Sequence, residues 1–165
     1  MKKVTVICLF IALSTTIFAQ KKFGHVDSNA IFDVMPEKEE TEKTLKTYGK
    51  ALEDQMLELK KDFESKYAAY QANSALWSDA IKDMKEEEIY TLQQRIQAFQ
   101  QKAQEDMMNK ETALLEPIYN KIKNAIKEIG AEKSLMYVFE VNSLLYISPE
   151  SVDITQDVKT KLGIK

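Results

Sequence analysis

Between Gly49 and Pro117 the sequence contains neither glycine nor proline. The whole 165-residue chain has four glycines, three prolines, one cysteine and one histidine. So long a span without breakers excludes a succession of tight turns and favours helix. No glycine-rich loop of the kind that cradles phosphate occurs, which removes the nucleotide-driven classes. The lone histidine, His25, lies in a short apolar stretch with no cysteine and no serine-nucleophile motif beside it. A nucleophile, a base and an orienting group must act as a unit, so His25 reads as structural and no enzyme is expected. Glu86, Glu87 and Glu88 are consecutive on a helix and point in different directions, so they read as a solvated charge run. No metal and no cofactor are expected. The formal net charge is -3, and no basic stripe is present to neutralise phosphates, which argues against nucleic acid as a partner.

The amino-terminal residues read as a secretory leader over residues 1–19. Lys2 and Lys3 form its charged start, Val4 to Phe18 is apolar apart from small hydroxyl residues, and Ala19 suits the cut. The run is shorter than the roughly 20 apolar residues that a membrane span needs. Cys8 lies inside it, too early for a lipidation site, and leaves with it. The exported chain then has no disulfide, no thiol chemistry, no integral membrane segment and a still more acidic balance.

What is present is helix-forming material with short β-like pieces on either side. Phe23 to Asp27 predicts a strand, and Asp27 or Ser28 then caps a short helix through Met35. Ile31, Phe32, Val34 and Met35 form its buried side, and Pro36 ends it and opens the next helix. From there Leu45, Tyr48, Leu52, Met56, Leu59, Phe63, Tyr67 and Tyr70 recur at steps of three or four, one stripe of a long helix with Gly49 as its weak point. The stripe stops at Ala72 to Asp79, which places a turn there. A return helix carries Met84, Ile89, Leu92, Ile96, Phe99, Ala103, Met107 and Leu114, then Ile118 to Ile129, with Pro117 as a kink and Gly130 as its stop. Met136 to Val141 and Leu144 to Ile147 read as strands, followed by a short helix that Thr155 caps, with Val158 and Leu162 inward and Gly163 at its end. The expected fold is mainly α: a long antiparallel helical hairpin, like a coiled coil, on a small β-rich body. The body comprises 20–36 and 130–165, and the arm 37–129 with its tip near 72–80. Each leg would reach about 50–65 Å at 1.5 Å per residue.

Two surfaces are candidates for contact. Near the tip, Leu76, Trp77, Ile81 and Met84 have few neighbours to bury them, and Trp77, Ile81 and Met84 with Tyr67 and Tyr70 form a candidate binding surface. In the body, Met136 to Val141 is apolar on both faces except at Glu140, more than so short a body can cover. Phe23, Val26, Met136, Val138, Phe139, Val141 and Tyr146 are the candidate oligomer contacts.

Two stretches, Phe23-Gly24-His25-Val26-Asp27-Ser28-Asn29-Ala30-Ile31-Phe32 and Val138-Phe139-Glu140-Val141-Asn142 through Leu145-Tyr146-Ile147 to Asp153-Ile154-Thr155-Gln156-Asp157-Val158, with the order of parts between them, resemble the OmpH/Skp family of periplasmic chaperones. The resemblance implies a homotrimer whose terminal segments form a β-rich body and whose three hairpins enclose a cavity. It implies ATP-independent holding of unfolded outer-membrane proteins in the periplasm. The best-known relatives are basic, whereas this chain is acidic, and Asp79 to Glu88 holds five acids against Lys82 and Lys85. Recognition through a positive cavity or a lipid-binding tip therefore does not carry over with the resemblance. The alternative is a structural coiled-coil adaptor that tethers envelope complexes, which would bind one folded partner rather than many unfolded ones.

Overall fold

The computed structural model describes residues 22–164, and the leader expected over residues 1–19 lies outside them. In chain order the elements are β1 (Lys22–Val26), α1 (Ser28–Phe32), α2 (Pro36–Asn73), a 3-10 turn (Ser74–Leu76), α3 (Asp79–Glu132), β2 (Leu135–Glu140), a second 3-10 turn (Val141–Ser143), β3 (Val152–Asp153) and α4 (Thr155–Lys161). The chain is mainly helical with one small sheet, as the sequence predicts. It divides into two compact units, residues 22–28 with 124–163, and residues 29–123.

In the helical unit, α2 has 38 residues and the whole of α3 has 54. Pro36 occupies the first turn of α2, where its missing N–H would have no partner in any case. Glu37 and Glu39 favour the same end through the helix dipole. The two helices run antiparallel, as their paired side chains show. Lys121 meets Glu37 near one end, the Lys110 ammonium lies 5.9 Å from the Tyr48 ring centre, and Lys66 meets Glu88 near the turn. The predicted stripes face this seam, but two helices alone make a thin core. Leu92, Ile118 and Ile122 are buried, while Leu52, Leu59, Phe63, Ile96 and Phe99 remain half-exposed. Before α2, Ile31 and Met35 are buried and Phe32 stacks on Tyr119 at 5.1 Å between ring centres. Val34, expected on the buried side, is instead 47% exposed. The helix stops at Phe32 and the Val34 N–H bonds to the Ile31 carbonyl at 3.1 Å, so the tighter turn takes Val34 off the helical face.

In the other unit β1 is the central strand, with β2 and β3 parallel to it on either side. Val26, Ala125, Ile129, Ile154 and Val158 are its buried apolar residues. Gly24 pairs with Val138 on one side and Val152 on the other. A Cβ there would lie 2.6 Å from Leu135 Cδ1, the movable end of a side chain, and 3.3 Å from the Val152 carbonyl oxygen, tighter than most such contacts, so the close approach of the strands favours glycine. Glu140, the one charge in β2, accepts the Ser28 N–H at 3.2 and 3.3 Å, which satisfies a free donor at the start of α1.

Three readings of the sequence are corrected here. Leu144 to Ile147 is not a strand, because β1 already has a ladder partner on each side and the second one is Val152–Asp153. Gly130 does not stop the return helix. It lies buried inside α3, which runs on to Glu132, and the left-handed position after the helix is taken by Ser134 at φ 53. Thr155 is the first residue of α4 and not its cap: its N–H donates to Asp153 Oδ1 at 2.9 Å, and its hydroxyl oxygen accepts the Asp27 N–H at 3.0 Å. Gly163, at φ 75, follows α4 as expected.

Candidate functional site

The turn between α2 and α3 gathers apolar side chains that have nothing to bury them. Leu76 is 83% exposed, Met84 56%, Tyr67 46% and Ile81 40%. Tyr70 and Trp77 are brought together edge to face at 5.9 Å, and Tyr67 stacks on Phe63 at the same separation. All five candidate residues thus lie on or beside the turn, with Trp77 and Tyr70 half-buried against each other. Leu76, which the sequence places at the tip among residues with few neighbours but outside the named contact set, is the most exposed of the group.

Polar ties hold the two helices below this surface. The Tyr70 hydroxyl donates to Glu86, and the Lys66 ammonium donates to Glu88, which also accepts from Lys85 at 3.0 Å. The Lys66 hydrogen bond, aided by that of Lys85, holds the Glu88 carboxyl below its usual range, and Glu88 in turn raises Lys66. A groove of about 570 Å³ beside these ties is lined by Met84, Leu92, Lys66, Lys85 and Arg95. A second groove, of about 500 Å³, opens further along between Gly49, Leu52, Met56 and Ala103, Met107. Periodicity could not reveal it, because Gly49 and Ala103 matter there by being small.

In the sheet unit the outward face of β1 and β2 is aromatic. Phe23 stacks on Tyr137 at 6.2 Å, and Phe139 lies 6.4 Å from Phe23 and 6.0 Å from Tyr137. These rings are 42–53% exposed, Met136 is 44% exposed and Tyr146 76%. A groove of about 490 Å³ runs among Phe23, Phe139, Leu144, Tyr146 and Ile147. The structure therefore brings Phe23, Phe139 and Tyr146 together. It places Val26 elsewhere, 3% exposed in the chain's own core, because alternation along β1 turns it to the opposite face. Val138 and Val141 are half-buried, and Val138 comes within 3.5 Å of where a Gly24 or Gly130 side chain would begin. Tyr137 belongs to this surface although it is absent from the sequence-derived contacts, and Leu145, beside Tyr146 in sequence, is wholly exposed.

His25 bonds through Nδ1 to Ser151 Oγ at 2.8 Å, and its Nε2 lies 4.0 Å from Asp153. Ser151 Oγ also sits 3.4 Å from the Phe23 carbonyl oxygen, so the group ties β1 to the approach of β3. Burial raises the Asp153 carboxyl, but the two hydrogen bonds from Thr155 outweigh it and the net shift is downward. Among the described residues no group of three or more His, Cys, Asp and Glu is placed to hold a metal. Among them, no helix is long and apolar enough to cross a membrane.

The comparisons with known proteins agree with this architecture. Residues 22–162 match the family model described as outer membrane protein (OmpH-like). The chain is 21% identical over 150 residues to the chaperone protein Skp of Pectobacterium atrosepticum, covering 91% of this chain and 90% of the relative. It is 28% identical over 153 residues to the chaperone protein Skp of Salmonella typhimurium, with 91% of each covered. Among solved structures, one described as an OmpH-like outer membrane chaperone from Caulobacter crescentus superposes with a TM-score of 0.66 at 18% identity, over 87% of this chain and 85% of that one. A family match that takes in both the sheet-forming ends and the helical hairpin between them makes this chain a member of the OmpH-like outer membrane protein family.

Proposed function

We propose that the protein is an ATP-independent holdase chaperone of the periplasm, which as a homotrimer binds unfolded outer-membrane proteins and keeps them from aggregating. The observation that carries the reading is the exposed apolar surface at the turn of the hairpin, where Leu76, Ile81 and Met84 stand free beside Tyr67, Tyr70 and Trp77. Solvent-exposed apolar clusters of this kind mark interaction sites, and methionine adapts to partners of varied shape. An unfolded barrel strand presents alternate apolar side chains and must be shielded from its own kind. Each contact contributes about 1–2 kcal/mol by area burial, and several arms acting on one chain add up through multivalency. The names of the relatives, the leader-like amino terminus and the open aromatic face Phe23, Tyr137 and Phe139 support the chaperone, periplasmic and trimeric parts of the proposal respectively.

The test is an aggregation assay with a denatured outer-membrane protein and the purified mature chain. Suppression is expected for the wild type. Replacing Trp77, Ile81 and Met84 together with serine should weaken it while leaving helix content and oligomer mass unchanged. Full suppression by the triple variant would move the holding surface elsewhere. No suppression by the wild type, with tight binding of one folded partner instead, would mark an adaptor.

A further inference from the structure

Part-way along the hairpin, the groove of about 500 Å³ between α2 and α3 combines features that point to one class of ligand. Its apolar lining is Gly49, Leu52, Met56, Ala103 and Met107. Gly49 forms one wall of it: a Cβ there would make ordinary contact with Met107 Cε at 3.7 Å, and a longer side chain would extend into the groove. Its charged lining is of one sign, Glu53 from α2 and Glu111 from α3, with no lysine or arginine. Both carboxylates are exposed, and among the described residues neither has an ion-pair or hydrogen-bond partner. By contrast Glu37, Glu88, Asp106, Glu128 and Glu132 each face a lysine.

The third feature is a ladder of amides. Gln93, Gln97, Gln100 and Gln104 follow at steps of four, three and four, so they share one face of α3, and all are exposed. Gln100 and Gln104 line the groove. From Ile89 to Gln101 the only charge is Arg95. Each glutamine offers both donor and acceptor, which is what an extended main chain with unpaired N–H and C=O groups can use.

We propose that this groove binds extended, unstructured polypeptide at positions where an apolar side chain is flanked by lysine or arginine. The apolar side chain lies in the groove against Leu52, Met56, Ala103 and Met107, the cation lies against Glu53 or Glu111, and the main chain bonds to the glutamines. The proposal rests on the chaperone reading and names the segments that the chaperone grips. A second copy of the hairpin fits poorly as the occupant. Its helices already satisfy their own backbone, and the chain's acidic balance sets carboxylate against carboxylate.

The probes are two fluorescein-labelled peptides of alternating phenylalanine and serine, one with flanking lysines and the other with flanking glutamates. They are titrated by anisotropy against the mature protein at low salt. The basic peptide should bind up to about five-fold more tightly. Glu53→Gln with Glu111→Gln should erase that preference. Gly49→Leu should fill the groove and weaken both peptides about ten-fold, the loss of one buried apolar side chain. Since leucine also replaces a helix glycine, this variant should melt no lower than the wild type. Equal binding of the two peptides by the wild type, or undiminished binding by Gly49→Leu, would overturn the proposal. So would a change of native mass in Gly49→Leu, which would assign the groove to a second copy. The aggregation assay separates the two readings. If wild type and Gly49→Leu suppress aggregation alike, the chaperone reading stands and the groove proposal falls. If the wild type does not suppress it, the chaperone reading falls and the peptide titration alone decides the groove.

Discussion

Gly24 and Gly49 illustrate how the same residue type is held for different reasons. An alanine at Gly24 would put its methyl group 2.6 Å from Leu135 Cδ1 and 3.3 Å from a backbone oxygen, so Leu135 must turn aside and the Val152 strand must give by a few tenths of an ångström. Gly24→Ala should destabilise the protein by about 1–3 kcal/mol, the usual cost of overpacking. At Gly49 the added methyl meets only Met107 Cε, at 3.7 Å, and helix propensity decides the outcome. Gly49→Ala should stabilise by about 0.5–1 kcal/mol. Denaturant titration of the two variants checks both signs, and shifts in the same direction would refute the distinction. The sequence marked Gly49 as a weak point but could not say what faced it. It gave no sign that Gly24 was crowded, because the strands that approach it, Leu135–Glu140 and Val152–Asp153, come from the far end of the chain.

At the scale of elements, the ion pairs Lys66–Glu88 and Lys121–Glu37 bridge α2 and α3 beside their apolar seam, and this gives the hairpin a pH response. The Lys66 hydrogen bond holds Glu88 below its ordinary 4.5, and that of Lys121 does the same for Glu37. A carboxyl with a depressed folded value adds stability that is present above the ordinary value and is lost as pH falls through the folded one. Lys66 is raised above 10.5, so its share is complete below that value and is lost only as pH climbs past the folded one. The ties near the turn should therefore persist between the ordinary carboxylate and lysine values and release only as pH falls past 4.5 through the depressed folded value of Glu88. Trp77, the only tryptophan, touches Tyr70 beside them and reports the change by fluorescence. Glu88→Gln should flatten the acid limb of that titration, and an identical limb in the variant would detach Trp77 from the tie. The long helices, their turn and the proline start of α2 were legible because periodicity and breakers are local signals. Leu144 to Ile147 misled because its β-branched and aromatic character suits a strand, while only a free ladder partner makes one, and β1 had none left. The end of α3 was misplaced because the left-handed residue is Ser134, not a glycine.

For the whole molecule, the open aromatic face is the feature that an isolated chain leaves without cover. Phe23, Tyr137 and Phe139 meet one another yet stay 42–53% exposed. In the proposed trimer this face is closed by neighbouring copies. Phe139→Asp would place a carboxylate in that contact at a cost of several kcal/mol, about 3 or more, and should dissociate the assembly. Native mass measured across micromolar dilution tests it. A single-chain mass for the wild type would dispose of the trimer, and an unchanged oligomer in Phe139→Asp would move the contact to another face. The sheet behind that face has a further consequence for how the chain is made. Its central strand is encoded first and both of its partners last, with Lys22 paired to Leu135 and His25 to Asp153. An emerging chain that stops short of Leu135 can form its hairpin, whose pairings run outward from Lys66–Glu88 beside the turn to Glu37–Lys121, but leaves β1 with both edges bare. Closing so distant a pair through a random chain carries an entropic cost that grows with the logarithm of the loop, and a hairpin already folded shortens the effective loop. Helix formation before sheet closure is thus the order the topology favours, and the last segment synthesised is the one that completes the sheet.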